Sequence, residues 1–287
     1  MVEFVSHFET LAPRYDLILC DIWGVLHDGL KAFPDAGVTL TRFRQGGGRV
    51  VLVSNAPRPG DAVTEQLDGL GVPRAAYDAI VTSGDVTRAI VVSRGTEKLH
   101  HIGPERDLSL FEGLPARFAS LEEADYVVCT GLFDDEVETV ADYEATLRRM
   151  RERKLLMVCA NPDIVVERGH HLILCAGALA AAYEALGGEA YTGGKPHQPI
   201  YDAAIKAAPG HNGGSELDRT RILAIGDAIR TDVAGARGFG VDSLLIARGI
   251  HAADVGYQPG RVDREKALPW LQAQDYRPTA IAPELTW

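Results

Sequence analysis

Apolar residues in this chain gather into short, nearly unbroken runs rather than strict alternation. The runs are YDLILC at 15–20, RVVLVS at 49–54, DAIVT at 78–82, DYVVCT at 125–130, LLMVCA at 155–160, RILAIG at 221–226 and DSLLIA at 242–247. Strands of this kind suit a parallel sheet covered on both faces, where neither side of the strand meets water. Between them, stretches 37–45, 59–70, 86–93, 135–152, 177–186, 198–208 and 231–238 carry helical spacing. Strand and helix in alternation predict an α/β fold. The stretch 275–287, interrupted by prolines, reads as an irregular tail.

Length and composition narrow the picture. A chain of 287 residues has room for one large domain or a core with a second, smaller domain. Its 46% hydrophobic and 24% charged residues are ordinary globular usage, which argues against disorder. The net charge of −11 argues against nucleic acid as a partner, because a phosphate backbone would be repelled on average. A small anionic substrate remains compatible, since a metal and one lysine reverse the local field. No signal-like or membrane-spanning stretch is visible, so a cytoplasmic location is expected. Cys20, Cys129, Cys159 and Cys175 follow or interrupt apolar runs without a CxxC pair. They are expected to be free, buried thiols and not zinc ligands or disulfides.

In open α/β sheets, ligands bind beyond the carboxyl ends of the strands. Asp21 follows the first run, Ser54 ends the second with Asn55 after it, and Asp227 follows RILAIG. Lys195 lies in a Thr-Gly-Gly-Lys-Pro turn before a helix. Each alone has a plain reading: aspartate as helix cap or turn former, serine and asparagine as turn residues, lysine as a solvated charge. Together they are a set able to handle metal and phosphate. Other sites are excluded. No GxGxxG follows the first strand, no Walker A loop is present, and no GxSxG elbow exists.

The segment DIWGVLHDG at 21–29 resembles the first motif of the haloacid dehalogenase superfamily, DxDGxLxxG. Ser54-Asn-Ala-Pro-Arg58 is similar to its second motif, Gly194-Lys195-Pro196 to its third, and GDAIRTDVAGA at 226–236 to its fourth. Asn161-Pro162-Asp163 resembles a segment of the NagD-like branch, which carries a large cap between the second and third motifs. The resemblance implies a Rossmann-like parallel-sheet core from residues 1–83 and 193–287, with an inserted α/β cap over 84–192. It also implies Mg²⁺ as cofactor, a small phosphorylated metabolite (sugar phosphate or nucleotide) as substrate, and a homodimer.

By the same resemblance, Asp21 is the nucleophile and, with Asp227 and the backbone carbonyl of Trp23, a metal ligand. Asp232 supports the metal. Ser54, the amide of Asn55 and Lys195 hold the phosphate, and Gly24 lets the backbone pass close to it. Trp23 departs from the family, which usually has an aspartate there as general acid and base. Two alternatives therefore stand beside a phosphatase: a phospho-ligand binding module with weakened turnover, and a phosphotransferase. His27 and Asp28 follow in the flap, from which they could reach the cleft; the plainer expectation for both is an exposed loop. Adjacent His170 and His171 are not expected to share a metal, because neighbouring side chains diverge. Ala176 and Gly177 are candidates for facing the substrate.

Overall fold

The computed structural model describes residues 2–168, 171–210 and 218–287. Contacts divide the chain into two units. The first comprises 1–54, 64–81 and 195–287, and the second 55–63 and 82–194.

The first unit is built on a sheet ordered Glu3–Phe4, Ala280–Ala282, Asp242–Ile246, Ile222–Gly226, Leu17–Cys20, Arg49–Ser54 and Ala79–Thr82. Pairing is parallel from Glu3–Phe4 through Arg49–Ser54. Leu17, Ile18, Leu19 and Cys20 are all buried, as their apolar run requires of a central strand. The helix Pro34–Gln45 opens with proline at its first position, where the missing N–H costs nothing.

The second unit has its own five-stranded sheet, ordered Glu189–Thr192, Leu156–Cys159, Tyr126–Cys129, Lys98–Ile102 and Arg117–Phe118. All four pairings are parallel. Leu147, Met150, Leu179 and Tyr183, from the helices Glu144–Glu152 and Ala176–Ala185, pack with Val127 and Met157 of the sheet in one apolar cluster. The helix Ser83–Arg94 begins with a reciprocal cap. Thr82 Oγ1 accepts from Asp85 N at 2.9 Å, and Asp85 Oδ2 accepts from Thr82 N at 3.0 Å. Such a cap is worth about 1 kcal/mol.

The α/β class is as expected, and the differences have physical reasons. The stretch 275–287 is not irregular: Ala280–Ala282 is a buried strand hydrogen-bonded between Glu3–Phe4 and Asp242–Ile246. A three-residue strand is too short to show a period, so tertiary pairing decides. The strand Lys98–Ile102 escaped notice because KLHHI is half polar. Within 135–152 the regular helix starts only at Glu144, because Asp142 caps Thr139 and closes a separate short turn, Val140–Tyr143. Residues 55–63, 82–83 and 193–194, assigned by sequence to the core, fall in the second unit. Thr82 Oγ1 donates to Arg58 O at 2.7 Å, and Gly84 N to Ala56 O at 3.0 Å. All four cysteines are buried and free. Among the described residues, no helix is long and apolar enough to cross a membrane.

Candidate active site

Sheet register brings the first-unit residues together. Cys20 pairs with Ile225 on one side and Leu52 on the other, so Asp21, Asp227 and Ser54 all emerge at one sheet edge. Asp21 N donates to Ile225 O at 2.7 Å, which carries the ladder up to the functional residue. Ser54 is the buried last residue of its strand.

Lys195 is 3% exposed, and its ammonium bridges two carboxylates, 2.6 Å from Asp21 Oδ1 and 2.7 Å from Asp232 Oδ1. Oxygens of Asp21, Asp227 and Asp232 all lie within 4.8 Å of one another. Burial pushes the Asp21 carboxyl well above its ordinary range. Lys195 opposes that rise, and the charges of Asp232 and Asp227 add to it. A divalent cation beside the three carboxyls would favour their ionised forms, and with all three ionised against the one Lys195 ammonium it would cancel the two negative charges left over. The all-oxygen donor set is the chemistry Mg²⁺ takes, and Asp21, Asp227 and Asp232 are the side chains fit to hold it.

Asp227 is set by close backbone packing. Ile250 N donates to its Oδ2 at 2.9 Å. A Cβ at Gly24 or at Gly249 would each fall 2.1 Å from the same oxygen. Gly24, at φ +79°, is thus glycine because the Asp227 carboxylate fills the space a side chain would need. Likewise a Cβ at Gly226 would lie 2.0 Å from Asp232 Cγ, and Ala228 N donates to Asp232 Oδ2 at 3.1 Å. Asp232 sits in a widened π-type turn, Ile229–Val233, that leads into the helix Ala234–Phe239. Gly249 and Ile250 went unnoticed in sequence; a glycine shortly after a strand end was the available signal.

The indole of Trp23 packs edge-on to His27, with ring centroids 5.0 Å apart, and covers Gly29, where a Cβ would be 2.6 Å from Trp23 Cζ2. His27 is not in an exposed loop: it is 1% exposed. Its Nδ1 accepts from Gly29 N at 2.9 Å, so the proton of the neutral ring sits on Nε2. Val25 and Leu26 before the histidine are buried as well, and Trp23 packs against its ring. Asp28 closes the turn by accepting from Leu30 N at 3.0 Å and Lys31 N at 2.9 Å.

Several candidates lie in the second unit. The Asn55 side chain donates to Asp163 Oδ1 at 2.9 Å, and Asp163 N donates to Asn161 Oδ1 at 3.1 Å. Ala176 and Gly177 begin the helix Ala176–Ala185. A Cβ at Gly177 would meet the carbonyl oxygens of Pro162 and Asp163 at 2.3 and 2.5 Å, so this glycine serves packing against that turn. His171 is exposed at the start of the strand His171–Leu174, and His170 lies outside the described residues.

A parallel α/β core with buried aspartates at adjacent strand ends, facing one lysine, defines a hydrolase-type acid cluster. Two family models match the chain: haloacid dehalogenase-like hydrolase over residues 18–115, and HAD-hydrolase-like over 192–287. The chain is similar to the crystal structure of a haloacid dehalogenase-like hydrolase from Brucella suis 1330, with 47% identity, full coverage of both chains and a TM-score of 0.86. It is 28% identical to glycerol-3-phosphate phosphatase of Gallus gallus, covering 82% of this chain and 80% of that protein. It is 24% identical to D-glycerol 3-phosphate phosphatase of Mycobacterium tuberculosis, covering 97% of this chain and 77% of that protein. The chain belongs to the haloacid dehalogenase-like hydrolases.

Proposed function

We propose that this chain is a Mg²⁺-dependent phosphatase that hydrolyses a small phosphorylated metabolite through an aspartyl-phosphate on Asp21. Instead of the sugar phosphate or nucleotide expected from sequence, a short polyol phosphate is favoured, because both relatives described above are named for glycerol phosphate. The observation that carries the reading is the buried Asp21 carboxylate, salt-bridged to Lys195 and grouped with Asp227 and Asp232.

In this reading an Asp21 oxygen attacks phosphorus in line. The new bond is Asp21 O–P, and the bond to the ester oxygen breaks with its electron pair leaving on an alkoxide, which takes a proton from solvent. Water then attacks the aspartyl-phosphate, gives a proton to solvent, and returns the carboxylate and inorganic phosphate. Lys195 opposes the protonation that burial favours at Asp21 and screens its charge from the approaching phosphate. The Ser54 hydroxyl and the Asn55 backbone amide donate to the phosphoryl oxygens as charge grows there. Asp21, Asp227 and the Trp23 carbonyl would hold magnesium, with Asp232 supporting; bound there it would supply charge neutralisation and orientation of the phosphate.

A second reading, slow hydrolysis with phosphate binding or transfer to another acceptor, is favoured by one observation. At position 23 the side chain is an indole packed on His27 and Gly29, and it carries no transferable proton for chemistry at the ester oxygen. The test is turnover of p-nitrophenyl phosphate and of glycerol phosphates with and without Mg²⁺. Metal-dependent release of phosphate, absent in Asp21→Asn, is expected. No release above that control would reject the phosphatase reading, and phosphate appearing on added alcohols would favour transfer.

A further inference from the structure

Two of the proposed active-site residues stand where the chain changes unit. Ser54 directly precedes Asn55, and Lys195 directly follows Gly194; Asn55 and Gly194 both belong to the second unit. Within that unit both are gripped at one turn, 161–163. Asn55 is 3% exposed, and its Nδ2 donates to Asp163 Oδ1 at 2.9 Å. A Cβ at Gly194 would lie 2.6 Å from Asn55 Oδ1 and 2.7 Å from Pro162 Cγ, so the glycine backbone presses on the same asparagine and the same turn.

The turn is itself braced. Asp163 N donates to Asn161 Oδ1 at 3.1 Å, and Asn161 is 9% exposed. Behind it the helix Ala176–Ala185 packs with Gly177 directly against the carbonyls of Pro162 and Asp163. A helix supporting a turn that supports a buried amide is a rigid chain of contacts, with little slack to lose.

We infer that Asp163 is a positioning residue: by holding Asn55, and with it the Gly194 backbone, it fixes the peptide links from which Ser54 and Lys195 extend. Asp163 itself takes no part in bond making. Its contribution is alignment, to which in-line phosphoryl chemistry is sensitive, since a misplacement of about 1 Å costs on the order of 10²-fold in rate. The inference rests on the phosphatase reading above.

The test compares wild type with Asp163→Asn, Asp163→Leu, Asn55→Ala and the double variant Asn55→Ala/Asp163→Leu, using p-nitrophenyl phosphate and saturating Mg²⁺. Thermal midpoints are recorded for each, so that loss of fold is separated from loss of alignment. Asp163→Leu is expected to lower kcat about 10- to 100-fold and to change KM less than about threefold. Asp163→Asn keeps an oxygen able to accept from Asn55, and its kcat is expected within about threefold of wild type. The double variant is expected to be no worse than the poorer single one, because both remove the same contact.

Wild-type kcat in Asp163→Leu, a loss confined to KM, equal damage in Asp163→Asn, or additive losses would each overturn the inference. If Asp163→Leu fails to fold, Asn55→Ala against Asp163→Asn decides: the former must lose kcat and the latter must not. Absence of wild-type turnover on any phosphate ester overturns the phosphatase reading, and this inference with it. Good turnover indifferent to position 163 overturns the inference alone.

Discussion

Ile250 donates its backbone amide to Asp227 Oδ2 at 2.9 Å, so the loop after the strand Asp242–Ile246 holds a carboxylate that belongs to the next strand over. Gly249 sits against the same oxygen, where a methyl group would be 2.1 Å away. The methyl would also lie 2.3 Å from Asp227 Cβ, which carboxylate rotation cannot clear, so Gly249→Ala must displace Asp227 as a whole relative to this loop. With Asp227 as a metal ligand, the Mg²⁺ concentration for half-maximal activity is expected to rise about 10- to 100-fold, the usual effect of disturbing a ligand's support. A Mg²⁺ titration of activity checks this; an unchanged half-saturation would remove Asp227 from the metal site.

The charge balance of the cluster gives a second outcome. Asp21, Asp227 and Asp232 crowd within 4.8 Å with one ammonium among them, and burial already drives the Asp21 carboxyl upward. A cation that binds only the folded site stabilises it by mass action, about 2.7 kcal/mol at a hundredfold excess over its Kd. The thermal midpoint is therefore expected to rise by several degrees with Mg²⁺ and to fall back with chelator. Asp227→Asn should lose most of that rise. A midpoint indifferent to Mg²⁺ in wild type would count against the cation site.

Why some of this was legible in sequence and some not follows from how each signal is made. Asp21, Asp227 and Ser54 stand at the ends of apolar runs, and a parallel sheet places such ends at one edge, so their convergence could be foreseen. Lys195 gives no periodic signal, and only its place in a Gly-Lys-Pro turn resembling a known motif marked it. The strand Ala280–Ala282 was hidden because three residues carry no pattern; its pairing with Glu3–Phe4 joins positions almost the whole chain apart. His27 looked like a loop residue because its burial is decided by Trp23 and Gly29 packing around it. The support of Asp227 by Gly249 and Ile250, and the Asn55–Asp163 contact, are long-range relations between ordinary residue types. No local spacing encodes them.

His101 gives the second unit a pH response. Its Nε2 lies 2.9 Å from Thr130 Oγ1, and its ring packs edge-on to Phe111. Burial, with a smaller effect of His100, lowers its pKa to about 4 from an ordinary 6.5. Between those values the unfolded chain binds a proton that the folded chain refuses. Stability is therefore unaffected by this group above about pH 6.5 and falls as pH drops from there toward 4. His101→Gln keeps a donor for Thr130 without a titrating group. Its thermal midpoint is expected to fall less steeply between about pH 7 and pH 4 than that of wild type. Parallel slopes for the two proteins would show that His101 does not hold this proton balance.

In the phosphatase reading, the residue at position 23 bears on which esters the site handles well. An alcohol leaving as alkoxide needs a proton, whereas p-nitrophenolate leaves without one. General acid help is worth about 10²–10⁴-fold where it is needed. Trp23→Asp is therefore expected to raise kcat on a glycerol phosphate by about tenfold or more, and to change kcat on p-nitrophenyl phosphate less than about threefold. The substitution also strips the indole from His27 and Gly29, so some loosening of that flap opposes the gain. The two substrates separate these effects, because loosening slows both while a new acid speeds only the alkyl ester. Equal losses on both would mean that position 23 serves the flap's packing alone. Rapid wild-type turnover of the alkyl ester, with no gain in the variant, would mean that another group already delivers the proton.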